Sequence, residues 1–409
     1  MFSFFGASPF RGHTGQIAAV AVSRDGTAAV SGAHQARFFD RDAIIWKVPS
    51  GKIERRLRGH KVGIFSTAIT ADGQTIATGG GGAVKGRKWV YDNSIRIWNS
   101  KGEMLREFGR DLFFVYALDF SPDGKFLLSG SGNHAKKAPS ADGSCVRLWE
   151  VSTGREVRRF GHHASAANAV AFSPDGEYVV AASNGMKADG STPGGTTVRT
   201  RIYKQGEPQR VGEVIMAKAQ LTEYASTGPL SPEVRQSLSM LAQRLSPDQL
   251  VSVGIEQHPL SSAPESQTIR IWQTGSGKEI GLFSHQGWVN SVSFSPDGRY
   301  LLSAGRGVIL WDAISGEQIG RVGSNETYFT HCAAFSPSGR TVATGTGDQV
   351  EIGAPYENCC VRLYHPTSGR EIGCWNHRYP VKALAFSPDG NFILAGGDRG
   401  ELHLWHVPA

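Results

Sequence analysis

The sequence predicts an all-β protein, a single β-propeller built from four-stranded blades. Two markers recur along the chain about every 51 residues. The first is a turn of the form Ser-Pro-Asp-Gly after an apolar run, and the second is an aromatic residue that closes another apolar run. Four short strands in a repeat of this length are typical of one propeller blade.

The composition favours short strands joined by tight turns. Glycine accounts for 51 of the 409 residues, and only 19% of the residues are charged. Abundant glycine suits tight turns, whereas the low charge content argues against a disordered chain or a coiled coil. The formal net charge is +7, from 43 Lys and Arg against 36 Asp and Glu. This excess of basic residues permits nucleic-acid binding but is modest.

The turn marker occurs in four full and four weaker copies. Proline presets the backbone for a type I turn, and glycine adopts the left-handed conformation that closes the hairpin. The flanking segments have the length and composition of strands. The third residues of the eight copies are Asp25, Asp72, Asp123, Asp175, Asp248, Asp297, Ser338 and Asp389.

The aromatic marker predicts the same number of repeats. It falls at Trp46, Trp98, Trp149, Tyr203, Trp272, Trp311, Tyr364 and Trp405. The spacing from each aromatic residue to the next turn is nearly constant, except after Tyr203. We therefore expect one domain over 1–409 with eight repeats, at about 10–57, 58–108, 109–160, 161–215, 216–283, 284–322, 323–375 and 376–409.

An alternative organisation has seven blades and one long insertion at about 184–267. Eight blades are favoured because the segments 198–203 and 250–253 match third and second strands in phase with the other repeats. Between them, Ser-Pro-Glu at Ser231 opens a segment in which Val234, Leu238 and Leu241 fall at helical spacing. This pattern predicts a helical insertion at about 231–245.

The repeats resemble the WD40 family. Gly-His, a strand ending in Phe-Ser-Pro-Asp-Gly, then Ser-Gly and Val-Arg-Leu-Trp appear in whole or in part along nearly the entire chain. The resemblance implies that a buried hydrogen-bonded set of His, Ser or Thr, Asp and Trp holds each blade together. In such a set every buried polar group has a hydrogen-bond partner, since the hydroxyl can accept from the indole and donate to the imidazole. Two sets are complete: His13, Ser31, Asp40 and Trp46, and His60, Thr78, Asp92 and Trp98.

The resemblance also implies how the ring closes. In the family, each repeat begins with the outer strand of the preceding blade, and here the last repeat ends after its third strand. The N-terminal segment 2–10 aligns with the outer strand 156–160 and is expected to supply the missing one. That pairing would remove the exposed sheet edges that promote aggregation.

Long loops predict where a partner binds. In the family, the loops between the second and third strands emerge on one face, called the top. Here they hold most of the length variation, at 79–91, 133–142, 184–196, 255–266 and 345–358, with 217–237 expected beside them. Variable loops on a rigid scaffold are typical of a binding surface, although they can also be neutral decoration.

The charges and aromatic residues of these loops indicate a candidate interface. The loops of blades two to four are basic, and those of blades five and seven are acidic. Large aromatic and cationic side chains are enriched among the residues that dominate binding energy. The expected partner-binding residues are Lys85, Arg87, Lys88, Trp89, Tyr91, Lys136, Lys137, Met186, Lys187, His258, Tyr356 and Glu357.

Two motifs suggest chemistry only weakly. The glycine-rich run 81–86 has the spacing of a phosphate-binding loop, but Gly-Lys-Ser/Thr is absent and a strand is expected to follow. Cys359 and Cys360 could be a redox pair, but Cys360 aligns with Cys145 within a strand. No metal-ligand or nucleophile–base spacing appears. We therefore expect no cofactor, no metal and no catalytic residue.

Cysteine usage and hydropathy favour a soluble cytoplasmic protein. The five cysteines are an odd number without CxxC spacing, as expected of free thiols in a reducing compartment. No apolar run approaches the roughly 18 residues of a membrane helix, and the N-terminal segment lacks the pattern of a secretion signal. No membrane partner is expected.

These features favour a non-enzymatic scaffold that binds a protein partner through its top-face loops. The ring itself is expected to be monomeric within a larger complex. The first alternative is binding of RNA or another single-stranded nucleic acid by the basic loops, with Trp89 and Tyr91 stacking on bases. The minor alternative is an enzyme with its site in the central channel of the propeller.

Overall fold

The structure of this protein is a computed structural model. It describes residues 10–34, 40–85, 88–109, 114–132, 145–162, 166–183, 196–204, 215–217, 249–257, 266–286, 289–323, 329–349 and 356–407. The chain divides into two compact units, one formed by 1–189 together with 265–409 and the other by 190–264. The larger unit is a β-propeller.

Among the described residues, the propeller has seven antiparallel four-stranded blades. After the short strand β1 (Phe10–Arg11), blade 1 contains β2 (Gln16–Val22), β3 (Ala28–His34), β4 (Ala43–Lys47) and β5 (Lys52–Leu57). Blade 2 contains β6 (Ile64–Ile69) and β7 (Thr75–Gly80), then the hairpin β8 (Gly82–Lys85) and β9 (Lys88–Tyr91), and finally β10 (Ile95–Asn99) and β11 (Met104–Phe108). Blade 3 contains β12 (Phe114–Phe120), β13 (Phe126–Gly132), β14 (Cys145–Glu150) and β15 (Glu156–His162).

The smaller unit is inserted within blade 4. Blade 4 itself contains β16 (Ala167–Phe172), β17 (Tyr178–Ser183), β21 (Ser266–Gln273) and β22 (Glu279–Gln286). In the sequence, the strands of the smaller unit lie between β17 and β21; they are β18 (Thr196–Lys204), β19 (Ile215–Ala217) and β20 (Gln249–Gln257). Strand β20 lies between β18 and β19 in a separate three-stranded sheet.

The last three blades follow without interruption. Blade 5 contains β23 (Ser291–Phe294), β24 (Tyr300–Gly305), β25 (Gly307–Asp312) and β26 (Gln318–Val322). Blade 6 contains β27 (Thr330–Phe335), β28 (Val342–Gln349), β29 (Tyr356–Tyr364) and β30 (Glu371–Asn376). Blade 7 contains β31 (Val381–Phe386), β32 (Phe392–Gly397) and β33 (Glu401–His406), with the 3-10 turn Asp398–Gly400 before β33 and β1 as its fourth strand.

The prediction of eight blades is wrong, and the alternative of seven blades with a long insertion is confirmed. Strand β17 pairs directly with β21, with Val179 opposite Trp272. The segments 198–203 and 250–253 pair with each other, with Thr200 opposite Val253, instead of joining neighbouring blades. The expected repeats 161–215 and 216–283 thus contribute one blade between them. Strand propensity and phase identified strands here, but they do not determine which partner strand each one pairs with.

The predicted helical insertion at 231–245 lies outside the described residues. Within the described part of the chain, no helix has the length and apolar character needed to cross a membrane.

The turn marker forms the hairpin between the first and second strands of a blade. In blade 3, the Gly124 N–H donates to the carbonyl oxygen of Ser121 at 2.8 Å, and Gly124 has a φ of 70°. The Ser121 hydroxyl donates to Asp123 at 2.7 Å, and Asp123 accepts the backbone N–H of Lys125 at 3.1 Å. Each polar group of the turn therefore has a partner, which explains why the same four residues recur.

Apolar side chains fill the spaces between neighbouring blades. One cluster joins Ile95 and Ile97 of blade 2 to Leu118 and Trp149 of blade 3. The first strands of successive blades pack against one another, and β31 likewise packs against β2. These first strands are therefore the innermost strands of the propeller.

The N-terminal strand is described over two residues only. Phe10 lies opposite Leu402 and Arg11 opposite Glu401, and the Phe10 ring packs 5.5 Å from that of Trp46. Residues 1–9 lie outside the described part of the chain. Ring closure by the whole segment 2–10 therefore stays a prediction.

Candidate functional site

The candidate site lies along one edge of the blades, which we call the top edge. In blade 1, the beginning of β2 lies beside the end of β3, with Gln16 opposite His34. The beginning of β4 lies on the same edge, with Ala43 opposite Gly32. The first and third strands of each blade therefore begin at the top edge, where the connection between the second and third strands also lies.

Only one of the predicted loop residues has a described side chain. Tyr91 ends β9 and is 44% exposed. The structure describes the backbone strands that contain Lys85, Lys88, Trp89, Tyr356 and Glu357, but not their side chains. Arg87, Lys136, Lys137, Met186, Lys187 and His258 lie outside the described residues.

The four polar residues of blade 1 are joined by hydrogen bonds. The indole N–H of Trp46 donates to the Ser31 hydroxyl at 2.7 Å, and that hydroxyl lies 2.8 Å from His13 Nε2. His13 Nδ1 is 3.1 Å from Asp40, which also accepts the backbone N–H groups of Thr14 and Gly15. Burial raises the pKa of Asp40, but these donors outweigh it and lower the pKa overall.

Blade 2 repeats this network with a more enclosed carboxylate. The indole of Trp98 donates to Thr78 at 2.9 Å, Thr78 lies 2.8 Å from His60 Nε2, and His60 Nδ1 lies 3.2 Å from Asp92. Burial lowers the pKa of His60. Neutral His60 accepts from the Thr78 hydroxyl at Nε2 and donates from Nδ1 to Asp92.

Several further donors converge on Asp92. Ser94 donates at 2.5 Å, Arg96 lies at 3.1 Å, and the backbone N–H of Lys61 also donates. Burial raises the pKa of Asp92, but the hydrogen bond from His60 and those from the other donors together place the pKa far below its usual range.

The other blades keep parts of this arrangement. The indole of Trp149 donates to Ser129 in blade 3, and that of Trp311 donates to Ser303 in blade 5, both at 2.8 Å. In blade 7, the position opposite His403 is Ala395, and the rings of His403 and Trp405 stack 5.5 Å apart. The polar network is therefore complete in the two blades where the sequence contains every member.

A β-bulge recurs near the beginning of the innermost strand. In six blades the pairing of the first and second strands shifts by one residue at the same place. Such bulges redirect a side chain and are frequent next to functional sites. The bulged residues are Ala18, Phe65, Tyr116, Asn168, His331 and Lys382.

Two of the bulged residues belong to an aromatic cluster at the top edge. Phe65 stacks on His34 at 4.2 Å between ring centroids and meets Phe114 and Tyr116 edge to face, at 5.4 and 5.9 Å. Phe114 also contacts Tyr91 edge to face at 6.2 Å. We call these five residues the aromatic cluster. They join blades 1, 2 and 3 to the β8–β9 hairpin.

Two residues of the glycine-rich run, Gly81 and Gly82, pack against the aromatic cluster. A Cβ atom on Gly81 would lie 2.3 Å from Phe65, and one on Gly82 would lie 2.9 Å from Phe114. Only glycine lets the backbone lie directly against these rings. The following residues form the β8–β9 hairpin, whose strands pair from Gly82 opposite Tyr91 to Lys85 opposite Lys88.

Sequence reasoning missed the larger part of the aromatic cluster. His34, Phe65, Phe114 and Tyr116 lie in or at the ends of strands, and the expected interface was restricted to loops. One signal was present, because the bulge position is occupied by Ala18 in blade 1 and by large rings in blades 2 and 3. Recognising it requires knowing where the bulge falls.

Two histidines near the bulges are held neutral. Burial and then the charge of Lys382 lower the pKa of His34 to about 4, and the same two causes lower that of His331 to about 4. Lys382 Nζ lies 2.9 Å from His331 Nε2. At neutral pH, His34 is therefore an uncharged member of the aromatic cluster.

An acidic side chain lies on the innermost strand of blade 3. Asp119 accepts the backbone N–H of Phe172, in blade 4, at 2.8 Å. Burial raises the pKa of Asp119 to about 7, although this hydrogen bond and one from the Phe120 backbone act in the opposite direction.

The thiol of Cys360 contacts Cys374 on the neighbouring strand. Hydrogen bonding from Cys374 and Thr346 lowers the pKa of Cys360 to about 7 against the effect of burial. Cys332, Cys359, Cys360 and Cys374 are all free thiols. Among the described residues, no group of three or more His, Cys, Asp or Glu side chains could hold a metal ion.

Comparison with known proteins identifies related sequences. A family model described as "WD domain, G-beta repeat" matches residues 51–99, 102–150, 154–191, 277–312 and 369–406, about half of the chain. The U3 small nucleolar RNA-associated protein 15 homolog of Gallus gallus is 24% identical over 305 residues, which cover 74% of this chain and 48% of that protein. Nuclear distribution protein PAC1 of Arthroderma otae is 26% identical over 301 residues, covering 72% of this chain and 59% of that protein.

A further relative covers more of this chain. Telomerase protein component 1 of Rattus norvegicus is 25% identical over 410 residues, which cover 91% of this chain and 14% of that protein. The chain spans about half the length of the first curated relatives that it matches.

Proposed function

This chain belongs to the WD40-repeat family, and we propose that it is a non-enzymatic scaffold that binds a protein partner through its top edge. The observation that carries the proposal is the aromatic cluster. Its four inner rings contact one another in and beside the innermost strands, while Tyr91 is 44% exposed at the base of a protruding hairpin. Aromatic side chains that are held rigidly provide large contact area at low entropic cost.

The mechanism of binding is presentation of preformed side chains. The packing of the aromatic cluster fixes Tyr91 and the hairpin before a partner arrives, which reduces the ordering cost on binding. The charged residues expected around it, Lys85, Arg87, Lys88, Lys136, Lys137 and Lys187 on one side and Glu357 on the other, would orient the partner and raise its association rate. Trp89, Met186, His258 and Tyr356 complete the proposed contact set. We place the protein in the cytoplasm as part of this proposal.

Affinity purification of the tagged full chain from its native cell, followed by mass spectrometry, tests the proposal. One variant is Tyr91→Ala, and the other replaces Arg87, Lys88, Lys136 and Lys137 together with Glu. We expect both to lose the proteins captured by the wild type, with thermal unfolding within about 2 °C for the charge variant.

The matched control is Ile314→Ala. Ile314 is an apolar residue, 83% exposed, in the turn between β25 and β26 at the opposite edge. It should capture the same proteins as the wild type. Unchanged capture by both top-edge variants, or equal loss in the control, would contradict binding through the top edge.

Single-stranded RNA is the second candidate ligand. The names of two relatives favour it, since one is a small nucleolar RNA-associated protein and another is a telomerase protein component. RNA binding requires neutralisation of phosphates, so the affinity should fall steeply between 50 and 200 mM salt. Salt-independent affinity, or no binding of a labelled single-stranded RNA, would exclude this candidate.

A further inference from the structure

A polar cavity lies at the top edge between blades 1 and 2. It has a volume of about 610 Å³, within the range of small-ligand sites. Three arginines line it, namely Arg41 before β4, Arg56 near the end of β5, and Arg58 in the connection to blade 2. Asp40 and Asp42 are the acidic residues of its described lining.

The two carboxylates do not cancel the three cations. Asp40 accepts hydrogen bonds from His13 and from the backbone N–H groups of Thr14 and Gly15, so its hydrogen bonds are made within blade 1. Asp42 lies 3.4 Å from Arg58 Nε, but the Arg58 side chain is 77% exposed. An exposed pair of this kind contributes little and can exchange partners.

The arginines also differ in how firmly they are held. Arg56 Nη2 donates to the carbonyl oxygen of Gly12 at 2.9 Å, which ties it to the wall of the cavity. Arg41 and Arg58 are both exposed. One guanidinium is thus fixed in place, and two can turn towards a ligand.

We propose that this cavity binds the acidic side chains of a partner protein. A guanidinium offers two parallel N–H donors, which match the two oxygens of a carboxylate or a phosphoryl group. This inference rests on the proposed function and specifies its partner, a protein with an acidic segment at the seam between blades 1 and 2. The acidic groups are aspartate or glutamate carboxylates or phosphoserine, and their shared chemistry is a planar or tetrahedral oxyanion.

A peptide fits the cavity better than a nucleic acid. Single-stranded RNA is held by aromatic stacking together with phosphate contacts. The described lining has no Phe, Tyr or Trp, and its one histidine, His60, is committed to Thr78 and Asp92. The described part of the lining therefore offers oxyanion contacts and no aromatic ring on which a base could stack.

Sequence reasoning missed this site because its members do not share a loop or a motif. Arg41 belongs to the connection between β3 and β4, Arg56 lies in the outer strand β5 of the same blade, and Arg58 follows that strand. The antiparallel pairing of β4 with β5 brings the end of β5 beside the beginning of β4, with Ile44 opposite Arg56, and so places the three arginines at one edge.

Fluorescence anisotropy with three labelled peptides and the full chain tests the proposal. The peptides are five repeats of Glu-Ser, the same peptide with every serine phosphorylated, and five repeats of Gln-Ser. We expect saturable binding of the first two and at least tenfold weaker binding of the neutral peptide. The ratio between the first two identifies which oxyanion the cavity prefers.

Arginine variants locate the binding. Arg41→Gln/Arg58→Gln changes the two exposed cations and leaves the Arg56 contact intact, so the fold should be preserved. We expect it to weaken binding of the acidic peptides at least tenfold. The matched control is Arg55→Gln, which removes a neighbouring exposed arginine outside the cavity lining and should change the affinity less than twofold.

Three results would overturn the proposal: no binding of either acidic peptide, equal binding by the arginine variant, or stronger competition by single-stranded RNA of equal charge. These outcomes are separable from failure of the scaffold proposal. If Tyr91→Ala still loses its cellular partners while the acidic peptides do not bind, the top edge binds proteins but not through this cavity.

Discussion

Two acidic residues in neighbouring blades, buried Asp92 and half-buried Asp119, show how differently this fold treats a carboxylate. Asp92 lies at the top edge of blade 2, is 5% exposed and has a pKa far below its usual range. Asp119 lies on the innermost strand of blade 3, and its pKa is raised to about 7. Burial raises the pKa of both residues, so burial alone does not account for the difference.

The difference lies in the donors that surround each carboxylate. Asp92 accepts from His60, Ser94, Arg96 and the backbone of Lys61. Among the described residues, Asp119 accepts only backbone N–H groups, from Phe172 and Phe120. Several donors, one of them cationic, offset the lost hydration of Asp92, whereas two neutral amides do not offset that of Asp119.

The two sites therefore affect stability in opposite directions at neutral pH. The lowered pKa of Asp92 means that its ionised form stabilises the folded chain. The raised pKa of Asp119 means that its ionisation destabilises the folded chain. A residue whose ionisation destabilises the folded chain is a candidate for a functional role, so Asp119 is worth testing as part of the innermost surface of the propeller.

Loss of the Asp92 charge should have the largest effect. Asp92→Asn leaves buried Arg96 without its closest anion and replaces an acceptor by an amide facing His60. Breaking a buried ion pair in this way costs about 3 kcal/mol of unfolding free energy. Urea unfolding at pH 7 measures it, with Asp72→Asn, in an exposed turn of the same blade, as control. A loss below about 1 kcal/mol for Asp92→Asn would show that the network contributes little.

The sequence contained enough to predict the propeller and the members of its polar networks. The turn marker specifies its own hydrogen bonds, as Ser121, Asp123 and Gly124 illustrate. The His, Thr, Asp and Trp residues of blade 2 lie within hydrogen-bond distance of one another, in the order that the WD40 resemblance implies. These features are local or repeat at a fixed spacing, and such patterns can be read directly from residues.

The blade count and the surroundings of the site could not be predicted in the same way. The segments 198–203 and 250–253 are strands, as expected, but they pair with each other because strand propensity does not choose a partner. The aromatic cluster depends on which residue is bulged, and the arginine cavity depends on the strand pairing that brings the end of β5 beside the beginning of β4. Both are consequences of packing, which no single repeat encodes.

Replacement of Asp119 should stabilise the folded chain at neutral and higher pH, whereas replacement of Asp92 should destabilise it. Asp119→Asn keeps an acceptor for the Phe172 N–H and removes the charge whose burial is unfavourable. Because the folded pKa of about 7 exceeds the unfolded value of about 3.9, the wild type is most stable below the unfolded pKa and loses stability as the pH rises through 7. The full shift corresponds to about 4 kcal/mol. Because Asp119 is only half-buried and solvent screens part of this effect, the variant should be more stable by about 2 kcal/mol at pH 8.5.

Urea unfolding of Asp119→Asn and the wild type between pH 4 and pH 9 measures this difference. It should be near zero at pH 4, grow up to pH 7 and then level off. A difference that does not vary with pH would mean that Asp119 does not titrate in the folded chain in this range. Destabilisation at pH 8.5 would instead place Asp119 with Asp92, as a carboxylate whose ionised form is favoured.

The smallest effect should come from removing a single donor to Asp92. Ser94 is 2% exposed, and its hydroxyl donates to Oδ1 of Asp92 at 2.5 Å. Ser94→Ala leaves His60, Arg96 and the Lys61 backbone in place, so the loss should be about 1 kcal/mol at pH 7. The pKa of Asp92 should also rise, which would shift the acid-unfolding midpoint to higher pH because stability from a lowered pKa is lost as the pH falls. Ser100→Ala, which removes an exposed hydrogen bond to Gln74 in the same blade, should change neither quantity. An unchanged acid midpoint in Ser94→Ala would mean that His60 and Arg96 alone hold the charge of Asp92.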